Sequence, residues 1–130
     1  LIMLFNTIEE AVNKLSTIKE QLMQLKEKYD KINERLKVNA NIEEAITKSG
    51  LQPSHRVITM TTIPYSINIH IAPHYTWLVN KIGVLSSNIY YILNELDKVN
   101  NYLNNTKFRD ASVAIMIDYE SKKTRLVIMP

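Results

Sequence analysis

The sequence contains no cysteine, and only two glycines and four prolines occur in 130 residues. Without cysteine the chain forms no disulfide and offers no thiolate ligand to a metal ion. Two glycines are too few for the glycine-rich loops that bind phosphate through backbone N–H groups. We therefore expect regular secondary structure joined by short loops, and we exclude disulfide-stapled, thiolate-metal and phosphate-loop proteins.

Long apolar runs and a strong charge of one sign are also lacking. No segment approaches the roughly 18 apolar residues of a membrane-spanning helix, and the formal net charge is only +3. The hydrophobic content of 45% is ordinary for a globular protein. These features predict an intracellular, cytoplasmic chain with no membrane partner, and the length predicts a single α+β domain over 1–130.

The first quarter of the chain carries the strongest pattern in the sequence. Its apolar residues recur in alternating steps of four and three, as in a coiled-coil heptad. They are Leu4, Ile8, Ala11, Leu15, Ile18, Leu22, Leu25, Tyr29, Ile32 and Leu36. The pattern predicts a helix over 1–38, either protruding or packed, beside a β-α-β body over 55–130. Such a helix is too long for one small core, so we expect it to dock a second helix in this chain or another.

Basic residues flank this row of apolar heptad residues, which we call the seam. With Ile8 at heptad position a, Lys14 and Arg35 fall at g positions and Lys19 falls at an e position. A self-pair would place like charges opposite each other, which costs a few tenths of a kcal/mol per exposed pair. The flanks therefore favour an internal helix, or a foreign helix with acidic flanks, over a plain two-stranded homodimer.

We predict that part of this seam binds a protein partner. The predicted apolar contacts are Leu15, Ile18, Leu22, Leu25 and Tyr29. The lysines predicted to select the partner by charge are Lys19, Lys26 and Lys28.

A second seam lies later in the chain and supplies a candidate internal partner. Its residues are Leu78, Ile82, Leu85, Ile89, Ile92, Leu96, Val99 and Leu103. Gly83 is a weak point, so the predicted helix begins either near Leu78 or at Ser86 or Ser87, which are good N-caps. The pair 104–105 is expected to end it, and Glu95 is the acid expected to meet the basic flank of the first helix.

The remaining segments predict a short helix and four strands. Residues 41–49 are predicted to form a helix capped by Asn41. Residues 56–63 and 65–71 are predicted as strands around Pro64, the second with one buried and one exposed face. Residues 111–119 and 124–129 are predicted to form a C-terminal hairpin whose first strand is central, because its middle is apolar on both faces. The predicted fold is thus α+β, with an antiparallel sheet packed on helices.

Three histidines allow a weaker hypothesis about metal binding. His55, His70 and His74 would approach one another if the two middle strands pair, and three histidines can hold zinc. Histidines on a strand surface and in loops are the more frequent arrangement, so we predict no metal and no cofactor.

Acidic residues near the C-terminal turn allow a second hypothesis about metal binding. Asp118 and Glu120, with Asp110 at the start of the strand, could hold Mg²⁺ for phosphodiester chemistry. A charged hairpin tip beside two lysines explains the same residues better. No catalytic motif is present, so we expect a non-enzymatic protein.

Basic residues concentrate near the C-terminus and give an alternative function. They are Lys107, Arg109, Lys122, Lys123 and Arg125. A basic β surface with an exposed aromatic such as Tyr119 is one way of binding RNA or single strands. Our first prediction is nevertheless an oligomeric protein-interaction or assembly module. It would be a small subunit of a larger complex, or a viral or mobile-element accessory protein. A basic subunit of a nucleoprotein complex is the alternative.

Overall fold

The structure is a computed structural model. It describes residues 1–50, 57–62, 64–70 and 74–130, and it describes the residues at 57, 58, 62, 69 and 70 by their backbone alone. The elements, in chain order, are β1 (Ile2–Phe5), α1 (Ile8–Lys48), β2 (Val57–Thr62), β3 (Tyr65–His70), α2 (Tyr75–Asn104), β4 (Ser112–Asp118) and β5 (Lys123–Met129).

The predicted α+β class is confirmed, with a long N-terminal helix and a C-terminal hairpin. The chain divides into two compact units, residues 1–28 with 85–130 and residues 29–84. Each unit is described by itself below. The prediction of one domain over 1–130 stays a prediction.

The first unit contains a three-stranded antiparallel sheet in the order β1-β4-β5. The predicted central position of β4 is therefore correct. Leu4 of β1 lies opposite Ala114 of β4, which lies opposite Val127 of β5. Two residues further along, Ile2 lies opposite Met116. Because successive side chains of a strand point to opposite faces, Ile2, Leu4, Ala114 and Met116 share one face of this sheet.

The core of the first unit lies between one face of the sheet and the two helices. From the sheet it takes Phe5, Val113, Ile115 and Ile117, which are buried. From α1 it takes Ile8, Ala11 and Leu15, and from α2 it takes Leu96, Val99 and Leu103. The second seam, on α2, thus packs against the first turns of α1 within the chain, as the sequence predicted.

The helical seam does not begin at Leu4, as the heptad pattern predicted. Leu4 belongs to β1, and α1 begins at Ile8. The boundary is set by a cap, because the Glu10 amide donates to Thr7 Oγ1 (3.1 Å) and the Asn6 amide donates to the Glu10 carboxylate (2.9 Å). Thr7 and Glu10 have the spacing of a capping box. This spacing in the sequence is a signal for a helix that starts directly after Thr7 rather than at residue 1.

The predicted short helix over 41–49 is not a separate element. Helix α1 continues through Asn41 to Lys48. Residues 37–40 contain neither glycine nor proline, so nothing interrupts the i to i−4 hydrogen bonds, and Asn41 has no helix start to cap. Gly50, with φ of +87°, does follow the helix end as a C-terminal stop, as predicted.

Helix α2 begins earlier than either predicted start. It starts at Tyr75 and passes through Gly83 without a break, and it ends at Asn104 as predicted. A single glycine in a helix costs only about 1 kcal/mol relative to alanine. Packing elsewhere along the helix outweighs that cost, so Ser86 and Ser87 are interior residues rather than caps.

The second unit contains a separate two-stranded antiparallel hairpin, β2–β3. Both strands were predicted, but the buried face predicted for β3 is wrong for Tyr65 and Ile67, which are exposed. Met60, directly opposite Ile67, is exposed as well. Residues 57–70 contain no charged side chain. The alternation in β3 thus separates an apolar from a polar face, but described side chains on the apolar face are uncovered.

Candidate protein interface

The predicted partner-binding residues are divided by the structure between core and surface. Leu15 is completely buried in the first unit's own core, and Ile18 and Leu22 pack partly buried against that core. Leu25 is exposed and Tyr29 is half-buried. The first turns of the seam are therefore used inside the chain, and the first exposed seam residue within α1 is Leu25.

The three lysines predicted to select a partner occupy different settings. Lys19 forms an ion pair with Asp97 of α2, so the acid that meets this flank is Asp97 and not Glu95. Glu95 instead accepts hydrogen bonds from Thr124 Oγ1 (2.7 Å) and Lys98 Nζ (2.8 Å). Lys26 is half-buried and Lys28 is exposed. A charge-selected contact between helices is thus present within the first unit.

Helix α2 and strand β5 are connected through the Glu95 carboxylate. The Lys98 ammonium hydrogen-bonded to it, together with the Thr124 hydroxyl, holds the pKa of Glu95 below its usual value. The carboxylate is mostly buried, so its ionised form is satisfied by these two donors rather than by water. This contact serves the fold and leaves Glu95 unsuited to a partner.

The five basic residues of the nucleic-acid alternative do not form one cluster. Lys107 and Arg109 precede β4, whereas Lys122 and Lys123 follow it, so roughly 20 Å of strand separates the two groups. Lys122 lies over the Tyr91 ring of α2, 4.1 Å from its centroid. Of the five, Lys123 and Arg125 alone lie on β5, on its exposed side.

The face of the three-stranded sheet opposite the core carries a patch of apolar side chains. Its apolar members, which we call the outer sheet face, are Ile2, Leu4, Ala114, Met116, Val127 and Met129. The polar residues on the same side of the sheet are Ser112, Asp118, Lys123 and Arg125. Ile2 and Leu4 are 70% and 73% exposed, and Val127 and Met129 are also exposed. An antiparallel sheet with one face on a core normally presents polar side chains on the other. An apolar second face is typical of a sheet that a further layer covers.

The outer sheet face has relief as well as apolar character. Ala114 is only 8% exposed, because the larger Leu4 and Val127 stand on either side of it on the neighbouring strands. The next position along β4 is Met116, between Ile2 and Arg125. The small, buried Ala114 and the longer, half-buried Met116 therefore lie next to each other on this face at the centre of the sheet.

Sequence reasoning missed this surface, although β4 carried a signal for it. The run Val113–Ile117 is apolar at every position, and we interpreted it only as a strand in the middle of a sheet. A strand that is apolar on both faces also predicts cover on both faces. The other half of the surface depends on β1, which the heptad pattern concealed.

The second unit contains a buried carboxylate at the start of α2. Helix α2 has no acidic residue in its first turn, and Glu43 of α1 supplies one from outside. The Tyr75 and Thr76 amides donate to its two oxygens at 2.9 and 3.4 Å. Burial opposes ionisation of Glu43, but these hydrogen bonds and the adjacent His74 outweigh it and lower the pKa of the carboxyl group. Glu43 of α1 is thus a remote cap for α2.

This cap predicts a stability change that depends on pH. Because the folded-state pKa is lowered, the contribution of Glu43 is full above the unfolded-state value and is lost as pH falls through the folded-state value. We expect Glu43→Gln to lower the free energy of unfolding by about 1 kcal/mol at pH 7. The difference from wild type should narrow below about pH 4.5. Urea denaturation at several pH values measures it.

The matched control for this prediction is the neighbouring residue. Glu44→Gln removes an exposed carboxylate that pairs with Lys48 at 3.2 Å, and such pairs contribute little. Equal losses for the Glu43 and Glu44 variants at pH 7, or a Glu43→Gln difference that persists at low pH, would show that Glu43 is not a charged cap.

The acidic and histidine hypotheses fare differently. Asp118 accepts hydrogen bonds from the Glu120 and Ser121 amides and from Ser121 Oγ, which together lower its pKa and shape the hairpin turn. Within the described ranges, no group of three potential metal ligands is found. The three-histidine hypothesis lies outside the described residues, because His55 and the His70 side chain are not among them.

Among the described residues, no helix is long enough and apolar enough to cross a membrane. In the first unit the candidate site is the outer sheet face, whose exposed side chains Ile2, Leu4, Val127 and Met129 are apolar. Comparison with protein-family models, with curated proteins and with solved structures finds no match to this chain.

Proposed function

We propose that this chain is a non-enzymatic assembly module that associates through the outer sheet face. The observation that carries the proposal is the exposure of Ile2 and Leu4, at 70% and 73%, beside the other apolar residues of the outer sheet face. Contact with water by such a patch is unfavourable by about 25 cal/mol per Å² of apolar area. A second protein layer would remove that cost.

A second copy of the chain is the occupant that this surface fits. A two-fold axis across the strands, between the Ala114 and Met116 positions, would place Met116 of each copy over the Ala114 hollow of the other. It would also set Leu4 of one copy against Ile2 of its mate, and such contacts occur in symmetry-related pairs. Arg125 lies beside Met116 on the edge strand β5, and Lys123 and Asp118 lie at the hairpin end of the face. No like charges would meet at the centre.

The first test is the molar mass of the wild-type chain. We expect sedimentation equilibrium to show a reversible monomer–dimer equilibrium that changes little between low and high salt, because an apolar contact is not screened. A monomer at every concentration would overturn the proposal. A dimer that dissociates steeply with salt would assign association to the charged residues instead.

The nucleic-acid alternative stays a prediction, on a narrower basis. Two cations, Lys123 and Arg125, share the exposed side of β5, and the other three lie elsewhere. The outcome that would favour this alternative is salt-sensitive binding of single-stranded RNA that alanine at both positions abolishes. The expected cytoplasmic location and the complex in which the protein acts also stay predictions.

A further inference from the structure

Helix α1 carries a second exposed surface in the other unit. Residues Ile32, Arg35, Asn39, Ile42 and Ile46 recur in alternating steps of three and four, and we call them the basic stripe. All five are exposed, and Ile42 is 55% exposed. Three isoleucines in such a row form a narrow apolar seam of the kind that packs against one other helix.

The adjacent side of the same helix is already occupied. Ala40 and Glu43 are buried, and Glu43 binds the first amides of α2. The basic stripe lies beside this side and is left to solvent. The described residues of the second unit therefore cover the side of α1 that carries Ala40 and Glu43, but they do not cover the basic stripe.

The charge of the basic stripe indicates what would cover it. Arg35 lies between Ile32 and Ile42 and makes no ion pair with any described residue. A helix docked on the isoleucines would enclose the Arg35 guanidinium, and enclosing an unpaired charge is costly unless a carboxylate meets it. The fitting partner therefore carries acidic residues beside its apolar positions.

A second copy of α1 does not provide that carboxylate. Glu43 is buried and used as the α2 cap, and Glu44 pairs with Lys48. Glu34 precedes Arg35 by one residue and lies about 100° away around the helix. In an antiparallel self-pair centred on Asn39, Arg35 would face Ile42 of the mate. The partner that satisfies the stripe is a different chain.

We infer that the basic stripe is a docking site for an acidic amphipathic helix of another protein. Isoleucine side chains supply the apolar contact, and Arg35 selects for negative charge. This surface is separate from the outer sheet face, so one chain would join a copy of itself to a second kind of subunit.

The test uses two labelled synthetic helices and the full chain. Both peptides carry leucine at heptad positions a and d; one carries glutamate and the other lysine at e and g. We expect fluorescence anisotropy to show binding of the glutamate peptide and at least about tenfold weaker binding of the lysine peptide. Arg35→Glu should reverse this preference, and Ile42→Asp should abolish binding of both.

The matched control is Lys37→Glu, which changes the same charge by the same amount two residues further along the helix, on another side. It should leave the affinity within about twofold of wild type. Repeating the titration with Leu4→Glu, a substitution on the outer sheet face, should give the wild-type affinity, which separates this inference from the proposed dimer.

Three results would overturn the inference. They are equal affinity for the two peptides, no binding of the glutamate peptide at about 100 µM, and an unchanged preference in Arg35→Glu. A dimer that Ile42→Asp dissociates would assign the stripe to a second copy instead.

Discussion

Replacing Leu96 by alanine is expected to lower the free energy of unfolding by about 3 kcal/mol. Leu96 is completely buried in the core of the first unit, where α1, α2 and the sheet meet. Removing its terminal atoms forfeits their transfer free energy and leaves a cavity that rigid neighbours fill only partly. Urea denaturation, at one fixed protein concentration because association contributes to apparent stability, measures the change.

The matched control lies on the same helix in the same unit. Leu85 is 47% exposed, so Leu85→Ala deletes the same atoms from a site that water already reaches. Its loss should stay within about 0.5 kcal/mol. Similar losses for the two variants would mean that the core of the first unit does not centre on Leu96.

A carboxylate on the outer sheet face is expected to convert the proposed dimer to a monomer. Leu4→Glu would place an unpaired charge in the apolar contact, and two-fold symmetry would place it there twice. We expect the dissociation constant to rise by about 100-fold or more. Val127→Glu, on the other edge strand, should act in the same direction. Sedimentation equilibrium at matched concentrations measures both effects.

Folding of the single chain should be unaffected by this substitution, which makes the result specific. Leu4 is 73% exposed, so a polar side chain there removes little buried area and should leave monomer stability within about 0.5 kcal/mol. Met23→Glu is the control, because Met23 is an exposed apolar residue on α1 in the same unit. It should leave the dimer intact. If Leu4→Glu and Met23→Glu associate equally well, the outer sheet face is not the interface.

Local patterns predicted most helices and strands correctly. The heptad steps predicted both long helices, the segments on either side of Pro64 were predicted as strands, and the C-terminal hairpin was predicted as such. The errors lie at boundaries. The seam pattern extended falsely to Leu4, and Asn41 and Gly83 were given more weight as cap and breaker than continuous helix packing allows.

The candidate surfaces were predicted less well than the elements. Leu15 follows the same heptad rule as Ile32, yet Leu15 is completely buried and Ile32 is exposed. Periodicity indicates which residues share a helix face, but it does not indicate whether another element covers that face. Which seam residues are buried and which are exposed depends on where α2 lies, and no local pattern contains that information.

The sequence by itself determined the fold class of this protein and limited the chemistry available to it. The absence of cysteine and the scarcity of glycine removed disulfide, thiolate and phosphate-loop chemistry. Apolar periodicity indicated the α+β class, because periodicity acts through neighbours along the chain. Tertiary structure alone decided that β1 pairs with β4, which turns Ile2 and Leu4 outward. It also decided that Glu43 caps a helix 32 residues later in the chain. Both outcomes depend on contacts between distant segments, whose geometry is set by packing the whole core.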